Sequence, residues 1–417
     1  MYSASHLRRA VSTVVAANIL SWYEFSLYIV FSPILAAQFF PEHNPTTGLI
    51  HIFLIFSIGF ISRPLGTLFF SHIGDKLGRR TSLVCSMLLM TIPSFGVGLI
   101  PSYQSIGITA PILLAFLRLV QGFATGGEFA GSMTYLHEIT PVHSRALTGG
   151  LTFSSSQLGN ALCTMEFLFL NQYFPSNSSW GWRISFLIGG FLGLIGWYLR
   201  THLHETPLFE TSKTEGKIAK KPIFESFTLH KAKMLTAFGI TTLTASGWYI
   251  IFVFSPLYLS EIVGFDRNQQ LLLNSLFLTG SAFLIPAFGY LSDKSYKNAL
   301  FLISAIGVLL LSLPLYFAAY RFSLPIFLTL QIALIAILTI QFAILPSIIC
   351  DLFPIRTRYT CVGISYNFSM VLFGGWTPFI ILAISSQEHH LLIPAFVLMA
   401  TALISLFSYT FFRKRLS

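Results

Sequence analysis

Five charged residues stand inside long apolar stretches of this 417-residue chain: Glu24, Arg63, Arg118, Glu128 and Glu166. An ionised group at the centre of a membrane helix costs about 2.5–3.5 kcal/mol on insertion scales, so such residues are functional candidates by default. Two chemistries suit these types. An arginine grips a carboxylate with two parallel hydrogen bonds. A carboxyl in a dry site takes up and releases a proton. At 1.5 Å per residue, Glu24 and Arg118 both lie near mid-depth, about 12 and 10 residues from their span ends, and are expected to pair. Arg63 and Glu128, each about 8 residues from an end, form a second expected pair. Glu166 has Arg183 as its expected partner. The alternative for these pairs is a structural one, ion pairs that tie helices together. Arg118, Gln121, Thr125, Glu128 and Ser132 fall on one stripe of a helix, as do Thr152, Ser155, Ser156, Gly159, Cys163 and Glu166. Lipid cannot satisfy a polar stripe, so these faces must line a path or meet other helices. Gly122-x3-Gly126 and Gly127-x3-Gly131 suit close helix packing. Tyr23 and Gln157 complete the candidate binding set.

The elements that must position these groups are helices in lipid. Hydrophobic residues make up 54% of the chain and charged residues 10%, against about 25% charged in soluble proteins. Mean hydropathy is +0.72. This composition excludes a soluble enzyme, a disordered protein and a nucleic-acid binder. Twelve stretches reach the roughly 20 apolar residues that a span requires: 12–38, 48–71, 82–100, 108–136, 146–171, 182–201, 234–259, 268–291, 299–319, 324–349, 359–385 and 391–412. The first is too long for a signal-peptide core and is read as span 1. One long connection, 202–233, with six lysines and four glutamates, separates a bundle at 1–201 from a bundle at 234–417. Of 25 basic residues, 20 fall on alternate loops. The net charge of +10 is therefore a topology signal, and it sets both termini in the cytoplasm.

The halves repeat each other. Glu138-x2-Pro141-x3-Arg145 recurs as Asp351-x2-Pro354-x3-Arg358, 213 residues on, and Asp75-Lys76 recurs as Asp293-Lys294 at 218. Trp22-Tyr23 has its echo in Trp248-Tyr249. Parallel repeats of six spans are a known transporter design, with the substrate site between them. The four cysteines, Cys85, Cys163, Cys350 and Cys361, lack metal or disulfide spacing and read as packing residues. There is no nucleotide-binding loop and no metal-ligand cluster, and no enzyme triad in a wet pocket. His137 reads as solvated at a loop edge.

Gly74-Asp75-Lys76-Leu77-Gly78-Arg79-Arg80 resembles the G-x-x-x-D-[RK]-x-G-x-[RK]-[RK] signature of the major facilitator superfamily, with Ser71 and Thr81 departing from it. Arg118-x2-Gln121-Gly122 resembles the family's R-x-x-Q-G element. Trp22-Tyr23-Glu24-Phe25, Arg63-Pro64-Leu65-Gly66 and Gly126-Gly127-Glu128 are similar to its metabolite:proton symporter branch, which includes carriers of citrate, 2-oxoglutarate, shikimate and proline or betaine. That branch usually reads E-W-Y-D-F in span 1; here Ser21 replaces the first acid and Glu24 stands at the second. The resemblance implies an all-α membrane fold of twelve helices, in two six-helix bundles related by a pseudo-two-fold axis. It implies a transporter, not an enzyme, that works as a monomer in a bacterial inner membrane, with protons as energy source and no cofactor. On this reading the substrate is a small organic acid. Arg63, Arg118, Gln121, Tyr23 and Gln157 bind it, and Glu24 or Glu128 couples the proton. Asp75, Arg79, Arg80, Glu138, Arg145, Asp293, Asp351 and Arg358 gate the cytoplasmic side, Asp75 with Arg145 as its basic partner. The alternatives are a proline or betaine symporter, an efflux carrier of a metabolite or siderophore, and a transporter-derived sensor. The end of the chain at Arg413-Lys414-Arg415-Leu416-Ser417 counts against the betaine alternative, whose carriers typically have a long C-terminal extension.

Overall fold

The computed structural model describes residues 4–40, 45–173, 180–256, 259, 264–320, 323–377, 381 and 392–416, and every regular element among them is helical. Span 1 runs Ala4–Val30 and continues after a turn at Phe31 as Ser32–Phe39. Spans 2 to 6 are Pro45–Lys76, Arg79–Leu99, Thr109–Ile139, Arg145–Tyr173 and Gly181–Thr201. Two short helices, Pro207–Thr214 and Pro222–Leu229, form the connection. The first is capped by Thr206, whose Oγ1 accepts the Phe209 N–H at 3.3 Å. Span 7 is Lys231–Tyr249 with one wide π turn, Ile250–Phe254. Spans 8 to 10 are Arg267–Leu291, Lys297–Tyr320 and Leu324–Asp351. Span 11 starts as Arg358–Met370, and span 12 is Ile393–Leu416.

Several helices run past the apolar stretches that predict them. Asp75, Arg79, Glu138, Arg145, Asp351 and Arg358, expected in loops, lie on the first or last turns of spans. Backbone hydrogen bonding continues into the interfacial layer, where these charges are paired. Among the described residues nine helical stretches are apolar enough to cross a membrane, one of which, Arg267–Ala318, contains spans 8 and 9. Spans 5 and 11 are missing from that set. They are repeat mates, and their serines and threonines, with Asn160 and Asn367, are buried against other helices rather than turned to lipid.

Each half packs within itself, and the halves meet chiefly where span 2 crosses span 11 and span 5 crosses spans 8 and 10. Small residues permit the closest crossings. A Cβ on Gly126 would sit 2.3 Å from the Arg63 carbonyl, and one on Gly122 would sit 1.9 Å from that of Gly59. The Gly122-x3-Gly126 pair is thus a packing device between spans 2 and 4. Gly289 does the same between the halves, where a Cβ would lie 2.8 Å from Leu147 Cα.

Candidate functional site

The tight crossing of spans 2 and 4 brings Arg63 and Arg118 into the interior, where they are 1% and 2% exposed. Neither meets a carboxylate among the described residues, and the expected pairs Glu24–Arg118 and Arg63–Glu128 do not form. Arg118 Nη1 donates to Gln121 Oε1 at 2.5 Å. Its guanidinium lies 4.6, 4.7 and 4.8 Å from the ring centres of Phe25, Tyr28 and Phe56, within cation–π range. Arg63 Nε donates across the halves to Asn367 Oδ1 at 2.8 Å. Asn367 is anchored by its own donation to the Gly126 carbonyl at 3.0 Å. Four guanidinium nitrogens, Arg63 Nη1 and Nη2 and Arg118 Nε and Nη2, are buried without a hydrogen-bond partner. The Tyr249 hydroxyl from span 7 lies within electrostatic reach of both guanidiniums. Buried donors on two uncompensated cations are costly unless an anion completes them.

Aromatic rings wall this layer. Trp22 and Trp248, the repeat mates, face each other across the halves at 6.3 Å, and Phe60 packs on Tyr249 at 5.8 Å. Gln157 bridges the halves: its Oε1 accepts the Trp248 Nε1–H at 2.7 Å, and its Nε2 donates to Ser281 Oγ at 3.0 Å. A cavity of about 50 Å³ lies beside Trp248, lined also by Ser26, Asn160 and Asn274.

The acids lie elsewhere. Glu24 turns to spans 3 and 6, where Oε2 accepts the Ser94 hydroxyl at 2.7 Å and Oε1 has no partner. A Cβ on Gly193 would fall 2.0 Å from Oε1, so the glycine leaves the room that the carboxyl occupies. Glu128 pairs with Arg200, whose Nη1 donates at 2.6 Å, and accepts the hydroxyls of Ser86 at 3.0 Å and Ser21 at 3.1 Å. Ser21 thus touches the Glu128–Arg200 pair at the position where the resembled branch usually has an acid. Glu166 is met by the Tyr23 hydroxyl rather than by Arg183. Arg183 donates to the carbonyls of Gly98 and Ile100 at 3.0 and 2.5 Å. Tyr23 therefore faces Glu166 and is separate from the arginine pair.

At the basic end, each half caps a helix of the other. Asp75 accepts the backbone N–H groups of Tyr359 and Thr360 at 3.2 and 2.9 Å, at the start of span 11. Asp293 accepts those of Ala146 and Leu147, both at 2.9 Å, at the start of span 5. A carboxylate on exposed N–H groups at the positive end of a helix is favourable. Arg79 forks onto Glu138 with two bonds of 3.0 Å, and Arg358 reaches the same carboxylate at 3.2 Å. In the mirror position Arg145 and Lys297 meet Asp351 at 3.2 and 3.4 Å. The expected partner of Asp75, Arg145, thus belongs to Asp351, and Asp75 pairs with Arg79 at 3.2 Å. Arg80 stays outside this network and donates to the Thr201 carbonyl at 2.5 Å. The connection contributes too: Thr206 donates to Glu138 at 2.7 Å, and Glu205 accepts the N–H groups of Arg79 and Arg80 at 2.9 and 3.1 Å. Burial raises the Glu205 carboxyl above the ordinary glutamate range.

Four residues were missed in the sequence. Arg200, counted as a loop charge, is fully buried. His137, read as solvated, is 1% exposed, with Nε2 3.2 Å from Asp351 Oδ1. Asn367 and Lys297 carried no polar or charged motif of their own. Lys297 has a signal in the repeat, since it stands four residues after Asp293 as Arg79 does after Asp75.

A family model described as "Sugar (and other) transporter" matches residues 10–234. The chain is 30% identical to the glycine betaine/proline/ectoine/pipecolic acid transporter OusA of Dickeya dadantii, over 98% of this chain and 83% of that protein. It is 31% identical to the proline/betaine transporter of Escherichia coli K12, over 96% and 82%. A putative proline/betaine transporter of Staphylococcus aureus COL is also 31% identical, over 97% and 88%. Among solved structures, the proton:xylose symporter XylE bound to 6-bromo-6-deoxy-D-glucose superposes with a TM-score of 0.81 at 15% identity, covering 99% and 96% of the two chains. The human organic anion transporter MFSD10 gives 0.70 at 14%, over 96% and 99%. These last two share the fold.

Proposed function

The chain belongs to the major facilitator superfamily, and from this premise we propose that it carries a small zwitterion of the proline or betaine type, driven by protons. It is a multi-pass membrane transporter and not an enzyme. The observation that carries the reading is the buried arginine pair, which meets no carboxylate among the described residues. A solute carboxylate would complete the four open guanidinium donors. The ring wall of Trp22, Trp248 and Tyr249, beyond the rings that Arg118 occupies, suits the other end of a zwitterion, because a quaternary or secondary ammonium is attracted to aromatic faces. The organic acid expected from the sequence satisfies the arginines but makes no use of that wall. The names of the relatives support the zwitterion over it.

On this reading, Glu24 carries the coupled proton: among the described residues it has no cationic partner and a single hydroxyl donor. Glu128 holds helices together through Arg200. The Asp75 and Asp293 caps close the basic end, which the loop charges place in the cytoplasm, and each round of transport breaks and remakes them. The protein needs no cofactor and acts as a monomer.

Purified protein in proteoliposomes, given an inward proton gradient, should accumulate labelled glycine betaine or proline in preference to citrate or 2-oxoglutarate. Preferential uptake of the dicarboxylates would reverse the assignment. Arg118→Gln should weaken apparent solute affinity at least about 30-fold, since a desolvated charged contact contributes ~2–5 kcal/mol. Glu24→Gln should abolish proton-driven accumulation while counterflow exchange continues. Accumulation equal to that of the parent would remove Glu24 from the coupling role.

A further inference from the structure

Gln157 spends both ends of its amide on the opposite half. It stands on span 5 and is fully buried. Its Oε1 accepts the Trp248 Nε1–H from span 7 at 2.7 Å, and its Nε2 donates to Ser281 Oγ on span 8 at 3.0 Å. One turn nearer the basic end, Ser154 Oγ donates to the Ala282 carbonyl at 2.6 Å. Nearer still, Gly289 packs on Leu147 and Asp293 caps span 5. Spans 5 and 8 are thus bound together from the basic end up to Gln157. Trp248 immediately precedes Tyr249, whose hydroxyl lies within electrostatic reach of Arg63 and Arg118. The two bonds of Gln157 therefore lie against the layer that holds the arginine pair.

Past Gln157, toward the outer side, the same helix faces part. Asn160 and Thr164 of span 5, with Asn274 and Leu278 of span 8, line the cavity of about 50 Å³ beside Trp248. Farther out, Phe167 and Asn171 of span 5, with Arg267 and Asn268 of span 8, line a second cavity of about 300 Å³. Positions 157, 160, 164, 167 and 171 follow one another at three or four residues, as do 274, 278 and 281. Each helix therefore presents a single face first to the bonds and then to the cavities. Span 1 walls both cavities in the same rhythm, with Ser26, Val30, Pro33 and Ala37. Span 7 takes its wide turn, Ile250–Phe254, directly after Trp248 and Tyr249, and the Phe252 carbonyl accepts the Asn274 amide there at 3.3 Å. Such a turn interrupts the regular ladder and is where a helix most readily bends.

We propose that Gln157 is the outer gate of the solute path: its bonds to Trp248 and Ser281 hold the seam of spans 1, 5, 7 and 8 shut over the arginine layer, and breaking them joins that layer to the two cavities through which the solute enters. Gln157, expected from the sequence to bind the solute, acts instead on access to it. The tight crossing at Gly289 and Leu147 is the pivot. Spans 5 and 8 stay in contact there while their outer ends separate, so an open gate goes with closed clasps. The proposal rests on the arginine layer as the solute's destination, and not on which solute is carried or which acid takes the proton.

Two single-cysteine forms of the full chain test this, one keeping only Cys350 at the basic end and one carrying only Leu278→Cys in the 50 Å³ cavity, with the other cysteines replaced by serine. A charged methanethiosulfonate reagent reads how fast each site opens in the purified protein. Gln157→Leu keeps the bulk and removes both bonds. It should speed labelling of Leu278→Cys about 10-fold or more, the size expected for two hydrogen bonds at a buried contact. It should slow labelling of Cys350 about threefold or more, because a protein biased toward the open outer side parts its clasps less often. Trp248→Phe, which keeps a ring and removes one bond, should move both rates in the same directions by less. Faster labelling at both sites would mean loosened packing and would overturn the gate, as would an unchanged rate at Leu278→Cys. Neither readout involves solute, so loss of solute affinity in Arg118→Gln tests the arginine layer separately.

Discussion

Asp75, Arg79, Glu138 and Arg358 occupy the same relative positions as Asp293, Lys297, Asp351 and Arg145, and each set ties one half to the first turn of a span in the other. The bonds match; the surroundings do not. In the first set the side chains of Arg79, Glu138 and Arg358 are 1%, 0% and 10% exposed. In the second, Asp351, Arg145 and Lys297 are 42%, 19% and 33% exposed. The first set also has a forked arginine where the second has a lysine, and it is sealed by Thr206 from the connection. Removing one member of a buried ion cluster costs about 3–5 kcal/mol, because the partner charge is left in a dry site. An exposed pair is worth about 0–1 kcal/mol. A duplicated device has thus diverged into a tight clasp and a loose one.

The largest predicted effect tests that divergence. Glu138→Gln strands Arg358 and leaves Arg79 with Asp75 as its one carboxylate among the described residues, and it should shift the balance between the joined and parted basic end by roughly 10²–10⁴, equivalent to the ~3–5 kcal/mol above. Cys350 is a natural reporter: it is buried, and its carbonyl accepts from Arg358 Nε at 3.2 Å. In a Cys85→Ser background, maleimide should label Cys350 much faster after Glu138→Gln. Asp351→Asn should change that rate less than about fivefold. Similar rates for the two variants would show that the clasps are equal and that exposure does not grade them.

The clasps also mark what could be read from the sequence. The spans were legible because apolar runs and basic loops alternate, and the duplication was legible because acid, proline and arginine recur at fixed offsets. Partners within the bundle were not. Counting residues from a span end gives the height of a side chain but not the direction in which it points around the helix. Glu24 and Arg118 share a height, yet Glu24 faces Ser94 on span 3 while Arg118 faces the rings of Phe25 and Phe56. Arg200 failed for a different reason. It stands at the end of a span, where a charge ordinarily reaches water, but its side chain turns inward to Glu128. Arg63 and Arg118 are buried, as their place inside apolar runs predicts, and the open guanidinium donors become visible only where the expected acids lie elsewhere.

A smaller effect separates the two caps. Asp75→Asn removes the charge from the start of span 11 and deprives Arg79 of one partner. Asp293→Asn removes only the cap at span 5, because Lys297 reaches Asp351 instead. Loss of a cap interaction costs about 0.5–2 kcal/mol, and the asparagine oxygen can still accept one N–H bond. Cys350 labelling should therefore accelerate about 10-fold for Asp75→Asn and about 3-fold for Asp293→Asn. The opposite order would place the stronger cap in the second half and reverse the assignment of tight and loose.

The smallest effect concerns the connection, which is fastened beside the first clasp by two glutamates of opposite character. Glu205 sits under the first clasp, and burial holds its carboxyl above the ordinary range. Glu225 accepts Arg356 Nε at 2.7 Å beside the start of span 11, and this bond holds its carboxyl below that range. The signs then oppose. A carboxyl raised on folding contributes stability below its unfolded pKa and loses it as pH rises through the folded one. A depressed carboxyl contributes stability above its unfolded pKa and loses it as pH falls through the folded one. Acidification should accordingly loosen Pro222–Leu229 and not Pro207–Thr214. Hydrogen exchange of the two helices, followed between neutral pH and the acid range and corrected for intrinsic rates, reads this directly. Glu225→Gln should remove the acid-induced change in the second helix, at a cost below about 1 kcal/mol because Arg356 is half exposed. Parallel loosening of both helices on acidification would show that the connection moves as one piece, and would leave the contrast between the clasps to the spans alone.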